Sequence, residues 1–354
     1  MTALLRRALA LLRRLDAALV APGPGGRVHN LRTLLALLFG LRLATRDWTL
    51  IAQRPPELTE HLWLLGWLPG PVPAPMLTAL QIAGLAGVAL VLTRRSPHAG
   101  FALAWGALLV LAGLWGASGK FTHNDLLGLT VAFPLLFAGT PDLPPDAREP
   151  GGSGGPGGPH GPSAEAADPA WGWPPRAALG VLGCVYFLTG AQKVAHGGSD
   201  WVLGDSMAWI LRQGSSPFGD GLTHLVADTP LLPNLLAGGA LALELSAPLW
   251  LAWQPARLPF AAAVTLMHGS IWAFLGIDYA AWVLTVWAVV LATGVPAHWS
   301  TARATADTGG RAAAGRRRTP AGTSGTARIA GTVPSAGITG MPVIPGVAGK
   351  EQAT

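Results

Sequence analysis

Eight apolar stretches, each about as long as a membrane-crossing helix, constrain the fold of this chain more than any other feature of its sequence. A helix needs about 17 to 25 residues to cross the hydrocarbon core of a bilayer. Stretches of roughly this length lie at 29–47, 75–93, 98–118, 124–139, 177–196, 231–253, 258–276 and 279–296. The sequence therefore predicts an all-α, polytopic integral membrane helical bundle of about eight transmembrane helices, with the lipid bilayer as its partner.

The composition also indicates a membrane protein. Of the 354 residues, 50% are hydrophobic and 12% are charged, whereas soluble domains carry about 25% charged residues. The single cysteine, Cys184, excludes a disulfide within the chain and a cysteine-based metal cluster, and we predict no metal. The net charge of +6 lies largely in tails and loops, where it would orient the chain in a membrane, so we predict no nucleic-acid partner.

The regions around the apolar stretches divide the chain. The first residues, "MTALLRRALALLRRLDAALV", place arginine pairs opposite leucines, which favours an amphipathic interfacial helix and leaves a signal peptide as the alternative. A stretch rich in Gly and Pro separates the first four apolar stretches from the last four. We predict an amphipathic helix at 1–22, a first membrane half at 23–140, a cytoplasmic linker at 141–172, a second membrane half at 173–297 and a disordered basic tail at 298–354.

Arginine-rich connections set the expected orientation in the cell membrane, because short cytoplasmic loops carry an excess of Lys and Arg. With both termini cytoplasmic, the arginines at positions 94, 95, 257 and 316 to 318 all lie inside. An even number of crossings agrees with this orientation. The connections at 48–74, 119–123 and 197–230 then face outward, and Lys193 lies near that extracytoplasmic face.

Ionisable residues inside the apolar stretches each cost about 2.5 to 3.5 kcal/mol at a helix centre, so each needs a partner or a function. These residues are Arg42, Arg46, Lys193, Glu244 and His268, with His123 at the start of the fourth stretch. The basic side chains have a simple alternative, since they can extend to the headgroups. His123 and Asn124 can equally cap a helix. Glu244 and His268 lie near mid-membrane, where they form either a structural polar pair joining two helices or part of a site.

Lys193 favours proton chemistry, because the chain carries its other positive charges almost entirely as arginine, with lysine only at positions 120, 193 and 350. Arginine cannot lose its proton in a protein, whereas lysine can in an apolar environment. Headgroup anchoring is the alternative. The stretch after Lys193 carries Trp201 and Trp209 on one face of a predicted surface helix, where they would roof a pocket or belong to an aromatic belt.

Three stretches in the second half resemble the HTTM family, whose founding member is the vitamin K-dependent gamma-glutamyl carboxylase. They are "VYFLTGAQKVAHGGSDWVLGDSMAWILRQGSSPF", "ALELSAPLWLAW" and "LMHGSIWAFLGIDYAAWVL". The family's Gly-x-x-Lys, Trp-x-x-Gly-x-x-Met, acidic and histidine motifs fall on Gly190, Lys193, Trp201, Gly204, Met207, Glu244, Ser246, Ala247 and His268. In the first half, "THNDLLGLTVAF" and "GLRLATRDW" resemble the family's Asn/His segment and its arginine-bearing first span.

This resemblance implies a quinol-dependent site on the extracytoplasmic side. In the founding member, the lysine that matches Lys193 deprotonates vitamin K hydroquinone, which reacts with O2 to give an epoxide and a strong base. That base removes a glutamate γ-proton, and CO2 adds. The resemblance implies a reduced quinone of the vitamin K or menaquinol type as cofactor, with Lys193 and His123 as catalytic residues. Residues that it implies for the pocket or for substrate binding are Arg42, Asn124, Tyr186, Trp201, Gly204, Glu244 and His268.

The chain also departs from the founding member. A low-complexity tail stands where the founding member has a large extramembrane domain that binds its protein substrate, and "AHGGS" lengthens the connection after Lys193. The expected function is quinol-dependent oxygenation or epoxidation coupled to modification of a secreted peptide, by an enzyme of the carboxylase-like (lyase) or quinol-oxygenase type. The alternatives are a non-catalytic membrane protein, such as a peptide-maturation partner or immunity factor, and a proton-coupled transporter using Glu244 and His268.

Overall fold

The computed structural model describes residues 10, 16–17, 20–55, 57, 65–66, 71–117, 123–139 and 167–294. Within these ranges the regular secondary structure is helical, apart from one antiparallel bridge between Gly23 and Asp168. The all-α prediction is therefore confirmed for this part of the chain. The predicted amphipathic helix at 1–22 lies almost entirely outside the described residues, as do most of the 141–172 linker and the whole of the 298–354 tail.

The α-helices are numbered here in chain order. They are α1 (Gly25–Thr45), α2 (Ala74–Leu92), α3 (Pro97–Gly116), α4 (Leu126–Ala132), α5 (Pro169–Gly197), α6 (Asp200–Leu203), α7 (Ser206–Gln213), α8 (Asp220–Asp228), α9 (Leu232–Ala252), α10 (Arg257–Leu275) and α11 (Ala280–Gly294). Each predicted apolar stretch overlaps one of these helices. The short helices α6, α7 and α8 lie in the connection between α5 and α9.

In the part of the chain that the structure describes, five helical segments are long and apolar enough to cross a membrane, namely α2, α3, α5, α9 and the segment Gln254–Leu275, which contains α10. Two further apolar helical segments, Leu126–Leu136 and Ala280–Thr293, are shorter. At 1.5 Å per residue the first of these reaches about 16 Å, roughly half of the 30 Å hydrocarbon core. The described part of the chain therefore contains several helices with the length and apolar composition of membrane spans, and the count of eight crossings stays a prediction.

Two predicted segments have different bounds in the structure. The fourth apolar stretch (124–139) begins as a 3-10 turn and returns to 3-10 geometry around Pro134, which has no backbone N–H for an α-helical hydrogen bond. Helix α5 begins at Pro169, within the predicted linker. There the carboxylate of Asp168 accepts a 2.7 Å hydrogen bond from the backbone N–H of Ala170, which caps the helix.

Helices from before and after residues 140–166 pack into one bundle with a continuous apolar core. The most extensive contact joins α2 to α3. A Cβ atom added to Gly87 would lie only 2.6 Å from the carbonyl oxygen of Gly100, so the two backbones meet where both residues lack a side chain. Small residues allow this close packing between membrane helices. Helix α5 packs on α9, α1 and α4, while α11 packs on α1 and α10.

A buried arginine completes the hydrogen bonding at the end of the short segment that begins with α4. Arg32, on α1, is 1% exposed. Its guanidinium donates hydrogen bonds to the carbonyl oxygens of Leu135 at 2.8 Å, of Gly139 at 2.9 Å and of Ala138, and Nδ1 of His98 lies 3.1 Å from one of its nitrogens. The last carbonyls of a helix have no partner within that helix. Arg32 supplies these partners, which allows the segment to end inside the bundle.

Candidate functional site

An ion pair between α5 and α9 forms the centre of the candidate site. The Nζ atom of Lys193 lies 2.6 Å and 2.7 Å from the two carboxylate oxygens of Glu244. The side chain of Lys193 is 24% exposed and that of Glu244 is 7% exposed, so the carboxylate is buried while the amine is partly accessible. Gly190, one turn before Lys193, permits this approach, because a Cβ atom there would lie 3.0 Å from the Cβ of Glu244.

The structure corrects the expected pairing of Glu244 with His268. The Glu244 carboxylate is bound by Lys193, whereas Nε2 of His268, on α10, lies 3.2 Å from the hydroxyl oxygen of Tyr186. Tyr186 is two turns before Lys193 on the same face of α5. The two polar pairs are neighbours, since Glu244 lies within electrostatic range of Tyr186, and Lys193 within range of His268. The four residues thus form one polar group inside the bundle.

Aromatic rings enclose the pair formed by Tyr186 and His268. Tyr186 makes edge contacts with Phe260 and Trp282, at centroid distances of 5.6 Å and 5.9 Å. The ring of Tyr279 lies 4.7 Å from that of His268. Edge and offset contacts of this kind fix the orientation of each ring, so the phenol and the imidazole are held in a defined geometry.

Two buried polar atoms beside these pairs have no hydrogen-bond partner in the described part of the chain. They are the indole Nε1 of Trp201 and the Nδ1 of His268. The ring of Trp201 also faces the Nζ of Lys193, with 5.4 Å between Nζ and the ring centroid, a distance at which an aromatic ring attracts a cation. Buried polar atoms are nearly always paired in proteins. Each of these two atoms is therefore a place where a ligand would gain a hydrogen bond.

The connection after α5 differs from the single surface helix that was predicted for it. Helix α6 ends at Leu203, and the extended backbone of the next residue, Gly204 (φ −91°, ψ −171°), introduces a bend before α7. The side chain of Asn234, on α9, donates a 3.1 Å hydrogen bond to the carbonyl oxygen of Gly204 and holds the bend in place. Trp201 therefore lies against the ion pair, while Trp209 on α7 is 60% exposed. The prediction that both tryptophans share one helical face was wrong.

A second charged cluster joins the end of α1 to the turn before α4. Asp125 accepts hydrogen bonds from Nε of Arg42 at 2.5 Å and from Nη1 of Arg46 at 3.2 Å, and its side chain is 4% exposed. Asn124 lines a small cavity together with Arg42. His123 begins the same 3-10 turn, and its side chain lies outside the described part of the structure. Arg42 and Asn124 are thus brought together around Asp125.

Both clusters lie at the same end of the bundle, on either side of the segment between α10 and α11. Tyr279 in this segment contacts His268. The preceding residue, Asp278, lies close enough to Arg46 to attract it electrostatically. Lys193 lies near the C-terminal end of α5, and Arg46 directly follows α1. Residues drawn from the two halves of the sequence therefore occupy one end of the molecule.

Asp125 and Tyr279 belong to these clusters and were not identified from the sequence. A signal for Asp125 was present, because two arginines one turn apart in an apolar stretch require an acidic partner. A signal for Tyr279 was present in the composition. The chain has 2 tyrosines, and the rings of both, Tyr186 and Tyr279, contact the ring of His268.

The groups assembled here are an amine, a carboxylate, an imidazole and two phenols in largely apolar surroundings, a combination that can hold and transfer a proton. Within the described ranges, no group of three or more His, Cys, Asp or Glu side chains is placed to hold a metal ion. Comparison of the chain with protein-family models, with curated proteins and with solved structures finds no match.

Proposed function

We propose that this chain is a membrane enzyme of the HTTM type that takes a proton from a bound hydroquinone, with Lys193 as the accepting base. The proposal includes eight crossings of the cell membrane, cytoplasmic termini, an extracytoplasmic site and a secreted peptide as the molecule modified. The observation that carries it is the Lys193–Glu244 pair, an amine in direct contact with a buried carboxylate. His123 and Asn124 are proposed to assist from the neighbouring cluster.

A proton can move from Lys193 to Glu244 without any change in the net charge of the pair. Transfer of one proton from Nζ of Lys193 to the carboxylate of Glu244 gives an amine and a carboxylic acid, and apolar surroundings lower the free-energy cost of forming this uncharged pair. The amine then has a lone pair that can accept a proton from a hydroxyl group. The resulting ammonium lies against the face of Trp201, which stabilises a cation. The pair then carries the proton that the hydroxyl has lost.

The residues around the pair fit a hydroquinone, which is flat, apolar on its faces and polar at two hydroxyl groups. The indole N–H of Trp201 is free to donate a hydrogen bond, and Nδ1 of His268 is free to donate or accept one, according to its protonation. Lys193, at 24% exposure, is the member of the ion pair that a ligand dissolved in the membrane can reach. When bound, the hydroquinone would supply the electrons that reduce O2.

Turnover by the purified protein tests this proposal. Reduced menaquinone and O2 are supplied in nonionic detergent, and the quinone epoxide is measured by mass spectrometry. One hydroquinone and one O2 give one epoxide and one water. We expect the wild type to form the epoxide and Lys193→Ala to lose at least about 100-fold in rate, the usual contribution of a positioned base. The absence of epoxide from the wild type with menaquinol and with vitamin K hydroquinone would refute the proposal.

Arg212→Ala is the matched control for this assay. Arg212 also forms an ion pair between two helices, with 2.8 Å between its Nη2 and Oδ1 of Asp228, but both side chains are exposed. Its removal deletes a positive charge from the connection that follows α5 without touching the buried group. We expect unchanged turnover in this variant, so that a loss confined to Lys193→Ala reports the function of the amine.

The mutual neutralisation of Lys193 and Glu244 favours one other candidate, a non-catalytic membrane protein in which the pair joins α5 to α9. A buried ion pair of this kind can serve the specificity of packing alone. In that protein Lys193→Arg would be silent in a cellular assay, because arginine keeps the positive charge although it cannot lose its proton. The wild type would also turn over no quinol. These two results together would establish the non-catalytic candidate.

A further inference from the structure

A cavity of about 110 Å³ lies at the end of the bundle opposite to Lys193. It forms where the first turns of α1, α5 and α10 meet, and Trp171, Gln254 and Thr293 contribute to its wall. Its volume is several times the roughly 30 Å³ that one water occupies in the liquid. Along α5, Arg176 of the cavity and Lys193 are separated by about 25 Å at 1.5 Å per residue. The cavity is therefore separate from the proposed quinol site.

Three arginines line this cavity, one from each of three helices. They are Arg27 on α1, Arg176 on α5 and Arg257 on α10. Arg257 is fixed in position, because its Nε donates a 2.8 Å hydrogen bond to the carbonyl oxygen of Leu251 and its Nη1 donates a 3.0 Å hydrogen bond to that of Thr293. Carbonyl oxygens orient a guanidinium, but they do not cancel its charge. The positive charge of Arg257 is thus preserved at the cavity.

The segment before α1 also binds Arg176 through backbone carbonyl oxygens. The guanidinium of Arg176 donates hydrogen bonds to the carbonyl oxygens of Ala21 and Pro22. Gly172 allows the segment before α1 to lie this close to α5, because a Cβ atom at position 172 would overlap the carbonyl oxygen of Ala21. The chain entering α1 is therefore packed directly on the first turns of α5, and it presents Arg176 beside the start of α1.

The charged residues among those that line the cavity are all arginines. The residues that line it, all of them within the described ranges, include no acidic residue. Asp168, at the start of α5, is exposed and uses its carboxylate to cap that helix. Arg27 lies close enough to Arg176 and to Arg257 for their charges to repel each other. An anion placed beside Arg27 and Arg257 would replace the repulsion between these two charges with attraction.

We propose that this cavity binds a phosphate group, supplied by the headgroup of an anionic phospholipid. The phosphate oxygens match the donor fork of a guanidinium, and arginine is the residue best suited to bind phosphate through two parallel hydrogen bonds. The first turns of α1 and α5 add the positive ends of two helix dipoles. Trp171 and Leu179 give the wall an apolar part, which suits the carbon chains attached to a lipid phosphate. Free phosphate shares this chemistry, and the experiment separates the two sources.

Native mass spectrometry of the purified full-length chain in nonionic detergent measures the binding of phosphatidylglycerol. The variants are Arg27→Gln, which removes one of the three charges, and Gln254→Glu, which introduces a carboxylate of nearly the same size into the cavity wall. The attraction of the new carboxylate to the arginines should preserve folding of the second variant. Arg95→Gln is the matched control, since Arg95 is exposed in the connection between α2 and α3, outside the cavity.

We expect phosphatidylglycerol to bind about ten-fold more weakly to Arg27→Gln and to Gln254→Glu, as expected for the loss of one charge-assisted contact. Arg95→Gln should bind within about two-fold of the wild type. Sodium phosphate that displaces the lipid at low millimolar concentration would identify free phosphate as the natural ligand of the same site, and failure to displace it would identify the lipid. The proposal is overturned by equal affinity in the wild type and both cavity variants, by an equal loss in Arg95→Gln, or by no binding to the wild type.

Discussion

Removal of the Lys193 amine should destabilise the bundle through the carboxylate that it leaves behind. In Lys193→Met, the Glu244 side chain stays 7% exposed and loses the partner that lay 2.6 Å and 2.7 Å from its oxygens. Breaking a fully buried pair costs about 3 to 5 kcal/mol. Because Lys193 is 24% exposed and water can enter the vacated space, we expect about 2 to 4 kcal/mol. At about 2 to 4 °C per kcal/mol, the melting temperature should fall by roughly 5 to 15 °C.

Thermal unfolding in nonionic detergent, followed by circular dichroism, measures this loss. The loss should be larger at pH 8 than at pH 5, because Glu244 is uncharged once protonated and an uncharged acid is less costly to bury. Lys193→Met combined with Glu244→Met removes both charges, and this double variant should regain at least half of the loss. Arg212→Met, which breaks an exposed pair, should cost less than about 1 kcal/mol. Equal melting temperatures for Lys193→Met and wild type at pH 8, or no recovery in the double variant, would refute the reasoning.

Three further predictions use the same unfolding measurement. Asp125→Asn leaves two partly buried arginines without their shared carboxylate and should cost about 2 to 4 kcal/mol; an unchanged melting temperature would show that the cluster contributes nothing to stability. Arg32→Leu leaves three helix-end carbonyls without donors and should cost about 3 to 5 kcal/mol of unfolding free energy. A measured loss below about 1 kcal/mol would disprove this prediction. Gly87→Ala places a methyl group against the Gly100 carbonyl and should cost about 1 to 3 kcal/mol. The control Gly106→Ala meets no atom within 4 Å and should be neutral or stabilising by up to about 1 kcal/mol. Equal changes in melting temperature for the two variants would contradict the close packing of α2 on α3.

The positions of the long helices could be predicted because apolar length is itself a physical requirement for a helix in a bilayer. The stretches at 75–93 and 231–253 agree with α2 and α9 to within one residue at each end. The ends of other helices could not be predicted from apolar length, because they depend on local hydrogen bonding. Capping by Asp168 starts α5 before the apolar stretch begins, and Pro134 shortens the α-helical part of the fourth stretch.

Partner choice could not be predicted, because it depends on how each helix is rotated about its axis and on which helices are neighbours. Lys193, Glu244 and His268 were all identified as unusual from their cost in an apolar stretch. Their spacing along the chain does not say that Glu244 faces α5 while His268 faces Tyr186. Arg42 was likewise identified without its partner, since the carboxylate that binds it lies 83 positions further along the chain.

The rate of quinone epoxide formation by Lys193→Arg, compared with that of the wild type, tests the central claim most directly. Arginine preserves the positive charge beside Glu244, so the variant should stay folded, with a melting temperature close to that of the wild type. Because a guanidinium cannot lose its proton, we predict that epoxide formation falls at least about 100-fold. A folded Lys193→Arg variant that retains more than about half of the wild-type rate would contradict the assignment of Lys193 as the base.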